Sequence, residues 1–332
     1  MSAAAPRAPG AAGASGTGRL LDAALRWREA SILVVAVVLV IYFQAVNANF
    51  LTPANLRTLS QFVAASAIIA CGEVMLLICG EIDLSAGKVF ALAPFVMYFA
   101  NGAGVPLALA VVLGILAGAL VGLVNGLITV RLKVPSFVTT LGTLYLLNGF
   151  TLTISHGSPV PTPGSTGFAN AMGAWDYSQF LWALAVVAVM HVVLRHTRWG
   201  LHTIATGGNP VGSSEAGIRT GRIKLGTFVL TGALAALTGI LDAFRIGSID
   251  PLAGGNDVMF LAVAAGVIGG TPLAGGAGTI IGALLGAIVL GVLRDGFILQ
   301  GVNAFTFDMI LGGAILLAMI GNVHLPKLRR GA

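Results

Sequence analysis

Charge is scarce in this chain: 12 acidic and 18 basic side chains are spread over 332 residues, or 9% of the sequence, where a soluble globular domain carries roughly a quarter. No polar stretch is long enough for a second domain, because apolar runs fill nearly everything from Ser31 to Val323. These shortages exclude an ordinary soluble enzyme and call for lipid as solvent. Cysteine is almost absent. Cys71 and Cys79 lie in one apolar run, about 12 Å apart on a helix and beyond disulfide reach, so both read as packing residues. The histidines His156, His191, His196, His202 and His324 form no HExxH or Cys/His set, which leaves metal binding without support. A GxxxxGK[ST] phosphate loop is missing as well, since Lys88 is followed by Val89 and Ile82 stands where the first glycine should be. The chain cannot bind ATP in that way. Its net charge of +6 comes with no basic patch interleaved with aromatics, so nucleic acid is not a partner. Nor do paired acids or an acid–histidine set support catalysis.

What is present is a series of apolar runs near 31–48, 62–80, 88–101, 105–130, 136–154, 178–194, 225–241, 258–270, 279–293 and 307–323. A helix needs about 20 residues to cross the hydrocarbon core, so the chain reads as an all-α membrane protein of about ten transmembrane helices. The third and eighth runs are short and flank glycine-rich turns, where a broken or re-entrant helix is tolerated if protein covers it. Residues 1–30 read as a disordered cytoplasmic tail, 31–323 as one membrane domain and 324–332 as a cytoplasmic tail. About 30 residues, including Arg19, Arg26 and Arg28, precede the first run, so a retained helix is favoured over a signal peptide. With the amino terminus in the cytoplasm, 15 of the 18 basic residues fall inside and Arg57, Arg245 and Arg294 outside. The positive-inside rule is obeyed, and both termini are expected in the cytoplasm.

Gly114, Gly118, Gly122 and Gly126 recur every fourth residue in the fourth run, and Gly278, Gly282 and Gly286 do so in the ninth. Such rows let helix backbones approach closely in lipid, within one chain or at a subunit interface; packing within the chain is the simpler reading. The two rows are offset by 164 residues, and the same shift carries the second run onto the seventh. A duplicated five-helix unit would be inverted, because five is odd. A rival echo links Gly80–Gly87 (GEIDLSAG) with Gly269–Gly276 (GGTPLAGG) but matches fewer runs.

Ionisable groups in a bilayer are costly and are candidates for function by default. Glu73, in the middle of the second run, is either a cavity-facing hydrogen-bonding group or a protonated or locally paired structural acid. Glu81, Asp83 and Lys88 surround the GEIDLSAG turn, where Asp83 and Ser85 are expected to cap the next helix. Asp242, Asp250, Asp257, Asp295 and Asp308, set against Arg245 and Arg294, are expected to give the outer face a negative character able to steer a basic partner, with plain solvation of exposed loops as the alternative. Between the sixth and seventh runs, Arg195–Lys224 is the longest well-charged internal segment. Pro210 after Asn209 can open a helix, and Ser213, Ser214, Glu215, Ala216, Gly217 and Ile218 would make one or two turns along the cytoplasmic face. This suits a docking lever for a soluble partner, with an ordinary surface loop as the alternative.

Four segments in order make the sequence recognisable: Phe50–Leu59 (FLTPANLRTL), Gly80–Gly87, Val134–Gly149 (VPSFVTTLGTLYLLNG), and Gly207–Lys224 followed by Val267–Gly278 (VIGGTPLAGGAG). The chain after Ala48 resembles the inner-membrane permeases of ribose, xylose and arabinose type ABC importers. The resemblance implies a bacterial inner-membrane protein, two permease copies (identical or paralogous) around one pathway, ATPase subunits gripping Asn209–Ile218, and an extracytoplasmic solute-binding protein. ATP and Mg belong to the ATPase, and no cofactor is expected here. Glu81 stands where the family usually has glycine, and Asn148 where an arginine is common; with Glu73, Asp83 and Ser85 they are the pathway candidates. Permeases for branched-chain amino acids or nucleosides share the broad family. An ion-coupled carrier is a more distant reading and would need more than one buried acid for its coupling ion.

Overall fold

The computed structural model describes residues 28–255 and 257–303, together with 306, 309–313 and 316. The N-terminal tail up to residue 27, most of the run 307–323 with Asp308, and the tail 324–332 with His324 lie outside the described residues.

In chain order the elements are α1 (Arg28–Val46), α2 (Pro53–Ile78), α3 (Ala86–Gly102), α4 (Leu107–Arg131), α5 (Ser136–Ile154), the two-residue strand β1 (Val160–Pro161), α6 (Thr166–Ala169), a π-helical turn (Asn170–Ala174), α7 (Ser178–His196), α8 (Arg198–Gly208), α9 (Pro210–Glu215), α10 (Thr220–Ile246), β2 (Ser248–Ile249), α11 (Asp257–Ile268) and α12 (Ile280–Leu299). Among the described residues, seven helices are long and apolar enough to cross a membrane: α1, α2, α4, α5, α7, α10 and α12. The two short runs become α3, with 17 residues, and α11, with 12. This is an all-α membrane protein, and the only described strands form one antiparallel pair, Val160 opposite Ile249.

Burial separates central helices from peripheral ones. From Ser66 to Cys79 every residue of α2 and its end is buried, as for a helix that is apolar all round and enclosed by others. α1 is the opposite case. It exposes Leu33, Val34, Val37, Val38 and Ile41 and buries Ile32, Ala36 and Phe43 against Val289 and Val292 of α12. That one-sided stripe leaves a lipid-facing helix at the rim.

Glycine sets the closest approaches. A Cβ added at Gly118 of α4 would strike the carbonyl of Gly232 on α10, one at Gly232 would strike that of Gly118, and one at Gly122 would strike that of Phe228. Gly114 and Gly126 extend the row, with a Cβ 2.8 Å from Ala93 O and from Leu225 Cδ1 respectively. The row therefore faces α3 and α10 of its own chain. In α12, Gly282 and Gly286 lie against the carbonyls of Gly269 and Ala265. Gly278 is not part of that helix: α12 begins at Ile280 because Thr279 caps it, accepting from the Gly282 amide at 3.0 Å.

Pro94 sits inside α3. Lacking an N–H, it leaves the carbonyl of Phe90 without its helical donor. Gly239 of α10 lies against that same carbonyl, so the two helices touch where the ladder is interrupted.

Candidate functional site

α10 has 27 residues, about 40 Å at the helical rise. Its ends therefore mark two opposite faces of the protein, one basic face holding residues 195–224 and one holding Arg245.

At the basic face the turn 80–85 between α2 and α3 is held by side chains from four helices. Ile82 N donates to Ser136 Oγ (3.3 Å) and Leu84 N to Thr140 Oγ1 (3.1 Å), both on α5. Asp83 Oδ1 accepts from Ser85 N (2.8 Å) and Ser85 Oγ (2.6 Å), and Asn125 Nδ2 of α4 donates to Ser85 Oγ (2.9 Å). Thr143 Oγ1 of α5 donates to Asn125 Oδ1 (2.6 Å). Glu73 of α2 accepts from Asp83 N at 3.5 Å, and Lys224 of α10 pairs with Glu81 at 2.5 Å. Glu73, Asp83, Ser85, Asn125 and Thr140 are each 0% exposed. A buried network of this kind is costly unless satisfied and rigid once it is.

Sequence reasoning missed Asn125 and Thr143; a lone asparagine inside the apolar run 105–130 was the available signal. The expected cap is corrected. Ser85 is the N-cap of α3 but makes no side-chain cap bond, because its hydroxyl is already committed to Asp83. Glu73 is fully enclosed, and its Oε1 has no hydrogen-bond partner. Asn148 is half-buried on α5 and is not hydrogen-bonded into this network.

The two segments that echo each other in sequence meet here. Gly276 N donates to Ile78 O (2.8 Å), and a Cβ at Gly275 would come within 3.1 Å of Gly80 N. Gly275 and Gly276 have φ of +84° and +81°, a conformation glycine adopts without strain.

The charged segment 195–224 is largely helical. Thr197 caps α8, accepting from Gly200 N (3.2 Å), and Asn209 caps α9, accepting from Gly212 N (2.9 Å). α9 is shorter than the sequence suggests: it ends at Glu215, Ala216 is its C-cap, and Gly217 turns the chain with φ +85°. Ile218 N returns to Ser213 O (2.9 Å). Ser213 is 7% exposed and faces inward, whereas Val211 is 69% exposed; Ser214 and Glu215 are exposed too. Beside α9 lies a groove of about 480 Å³ lined by Arg131, Ser214, Arg219 and Arg222.

At the opposite face, Asp242 Oδ1 accepts from Arg245 Nε (2.9 Å) and Nη2 (2.8 Å) and from Gln179 Nε2 (3.4 Å), and Arg245 Nη1 donates to Gln61 Oε1 (3.5 Å). Two cavities, about 340 and 290 Å³, share Phe90, Asp242 and Gly254 in their walls. The β1–β2 pair lies beside the first, which Pro159, Ser248 and Ile249 also line. Arg294 is stacked 4.8 Å from the centroid of Phe62.

This arrangement corrects the negative outer surface read from sequence. Asp242 is 9% exposed and held by Arg245, and Asp295 is 2% exposed and accepts from Asn55. Asp250 and Asp257 remain exposed. Helix interiors hide acids that linear sequence places near loops.

Residues 55–320 match the family described as branched-chain amino acid transport system / permease component. The chain is 36% identical over 299 residues to the xylose/arabinose import permease protein XylH of Sulfolobus acidocaldarius, covering 88% of this chain and 84% of that one. It is also 36% identical to the ribose import permease protein RbsC of Escherichia coli K12, over 88% of this chain and 92% of the relative. RbsC of Bacillus subtilis is 36% identical over 85% and 89% respectively. No solved structure matches. With seven helices among the described residues long and apolar enough to cross a membrane, a capped surface helix between α8 and α10 and a match over most of its length, the chain belongs to the branched-chain amino acid transport system permease family of ABC importers.

Proposed function

We propose that this chain lines the translocation pathway of an ATP-driven importer for a pentose or similar small neutral sugar, delivered by a solute-binding protein. The observation that carries the solute class is the identity to permeases named for ribose and for xylose/arabinose across nearly nine-tenths of the chain. The family description itself mentions branched-chain amino acids. Uptake decides between them: proteoliposomes holding the permease, its ATPase and its binding protein should accumulate labelled ribose, xylose or arabinose on ATP addition and leave leucine outside. Accumulation of leucine alone would reverse the assignment.

In this reading the ATPase docks on α9 and the adjoining arginine-lined groove, and ATP with Mg stays on that subunit. Glu215→Arg should lower retention of the ATPase during purification severalfold while the permease still inserts. Unchanged retention and uptake would return Asn209–Ile218 to the status of a surface loop.

Ten spanning helices with both termini cytoplasmic, paired with a second permease copy, complete the proposal. Its support is the basic-residue distribution and the 164-residue shift, which carries α2 onto α10 and α4 onto α12, so that the packed pair α4/α10 has a counterpart in the packed pair α12/α2. A cysteine in place of the exposed Ser165 should react with an impermeant thiol reagent added outside, and one in place of Val211 only after the membrane is opened. The opposite pattern would invert the topology.

A further inference from the structure

The two cavities around Asp242 have no assigned role, and their chemistry is selective. Every hydrogen bond that Asp242 receives falls on Oδ1, from Arg245 and Gln179. Oδ2 is left as an acceptor in the wall shared by both cavities. Arg245 and Asp242 neutralise each other at 2.8 Å, with side chains 31% and 13% exposed. Outside that pair each cavity has charge of one sign, Asp250 in the first and Arg294 in the second, so a zwitterionic amino acid in either would have to compete with the pair for its other charge. A neutral polyol need not, because each hydroxyl donates and accepts and can bond Oδ2 while the ion pair stays intact.

The other walls fit the same class. Phe90 offers a ring face, Phe62 carries the Arg294 guanidinium over one of its faces, and Gln61 and Thr58 add an amide and a hydroxyl. Volumes of about 340 and 290 Å³ sit at the lower end of the roughly 300–1,000 Å³ typical of small-molecule sites. A mostly apolar wall with a few convergent polar groups is the usual form of such a site.

Position gives the cavities a role. They lie at the Arg245 end of α10, far from Lys224 and α9, between α2, α3, α10, α11, α12 and the turn 248–254. Resting on the sugar-importer reading, we propose that this cavity pair is a solute subsite of the translocation pathway on the face away from the ATPase. Asp242 Oδ2 accepts from sugar hydroxyls there, and Phe90 covers the apolar ring face.

The test uses the complete importer in proteoliposomes with Cys71 and Cys79 replaced by alanine. Ala65→Cys places a thiol in the wall of the second cavity. A small charged methanethiosulfonate should label it, labelling should abolish uptake, and saturating ribose, xylose or arabinose during turnover should slow labelling at least fivefold. In a second arm, Asp242→Asn should lower pentose uptake at saturating binding protein more than tenfold, with the assembled complex still recovered by gel filtration. Should Asp242→Asn fail to assemble, the labelling arm decides alone. Pentose uptake by the parent together with labelling at Ala65→Cys that neither blocks transport nor responds to sugar would overturn the subsite and leave the importer reading standing. If the parent transports no pentose, the importer reading falls and the neutral-polyol subsite falls with it.

Discussion

Replacing Gly122 with leucine is expected to remove folded permease from the membrane. A Cβ at this position would meet the carbonyl of Phe228, with Phe228 C at 2.7 Å and Val229 Cα at 3.0 Å. All three are backbone atoms of α10 and cannot rotate aside as a side-chain tip could. Forcing even modest extra volume into a packed interior costs about 1–3 kcal/mol, and here whole helices must separate. Because a change of ~1–2 kcal/mol already alters steady-state abundance several-fold, folded protein should drop by at least tenfold on fluorescence-detected gel filtration. Gly142 on α5 supplies the comparison, since nothing lies within 4 Å of a Cβ built there. Gly142→Leu should accumulate like the parent. Equal loss from both substitutions would mean that leucine is harmful wherever it is placed, and that the α4–α10 contact has no special role.

That contrast also marks how far sequence could reach. The four-residue glycine spacing of α4 was visible, whereas the partner was not, because Gly232 and Gly239 on α10 are spaced seven apart and form no four-residue row. Each apolar run from 31–48 to 279–293 coincides with a helix, but the ends moved. α2 starts at Pro53 rather than near 62 because Asn55, Arg57, Thr58, Ser60 and Gln61 made its first turns look like a loop. α8 went unseen inside the charged segment 195–224 because its mean hydropathy is low, although its one-sided apolar periodicity was a signal that could have found it.

The site was less legible than the fold. GEIDLSAG stood out through its glycines and acids, yet hydropathy does not reveal which helices bring Asn125, Thr140, Thr143 and Ser136 to it. Asp242 and Arg245 were read as charges of an outer loop because they lie near the end of an apolar run. Their spacing of three residues, which places two side chains on one helix face, was the signal for an ion pair. Distance from the nearest loop in sequence says little about depth when a helix runs on for another turn.

Reversing the charge of Glu81 is expected to stop transport, and reversing its partner as well should restore much of it. Glu81 Oε1 lies 2.5 Å from Lys224 Nζ, with the two side chains 12% and 24% exposed. Removing one partner of a largely enclosed pair costs about 3–5 kcal/mol, mainly through the charge left behind. Glu81→Lys does worse by placing two ammonium groups at the same point. The consequence reaches beyond stability because of what the pair joins. Lys224 lies in the second turn of α10, the helix that follows α9, and Glu81 opens the turn whose amides are held by Ser136 and Thr140 of α5 and whose Asp83 network is anchored by Asn125 of α4. If the ATPase docks on α9 as proposed, a displacement of α9 would reach Lys224 through the start of α10, and the ion pair would carry it into the junction of α2, α4 and α5. ATP-driven pentose uptake by Glu81→Lys should fall more than tenfold, with ATP hydrolysis by the assembled complex less affected than uptake. Glu81→Lys combined with Lys224→Glu recreates the pair in reverse and should recover at least a third of parental uptake. Full uptake by Glu81→Lys alone would reduce the pair to a surface contact. If the double reversal is no better than the single one, the two charges serve other partners, and the link between α9 and the turn must run through the packing of Gly207 and Gly276 on Ile78 instead.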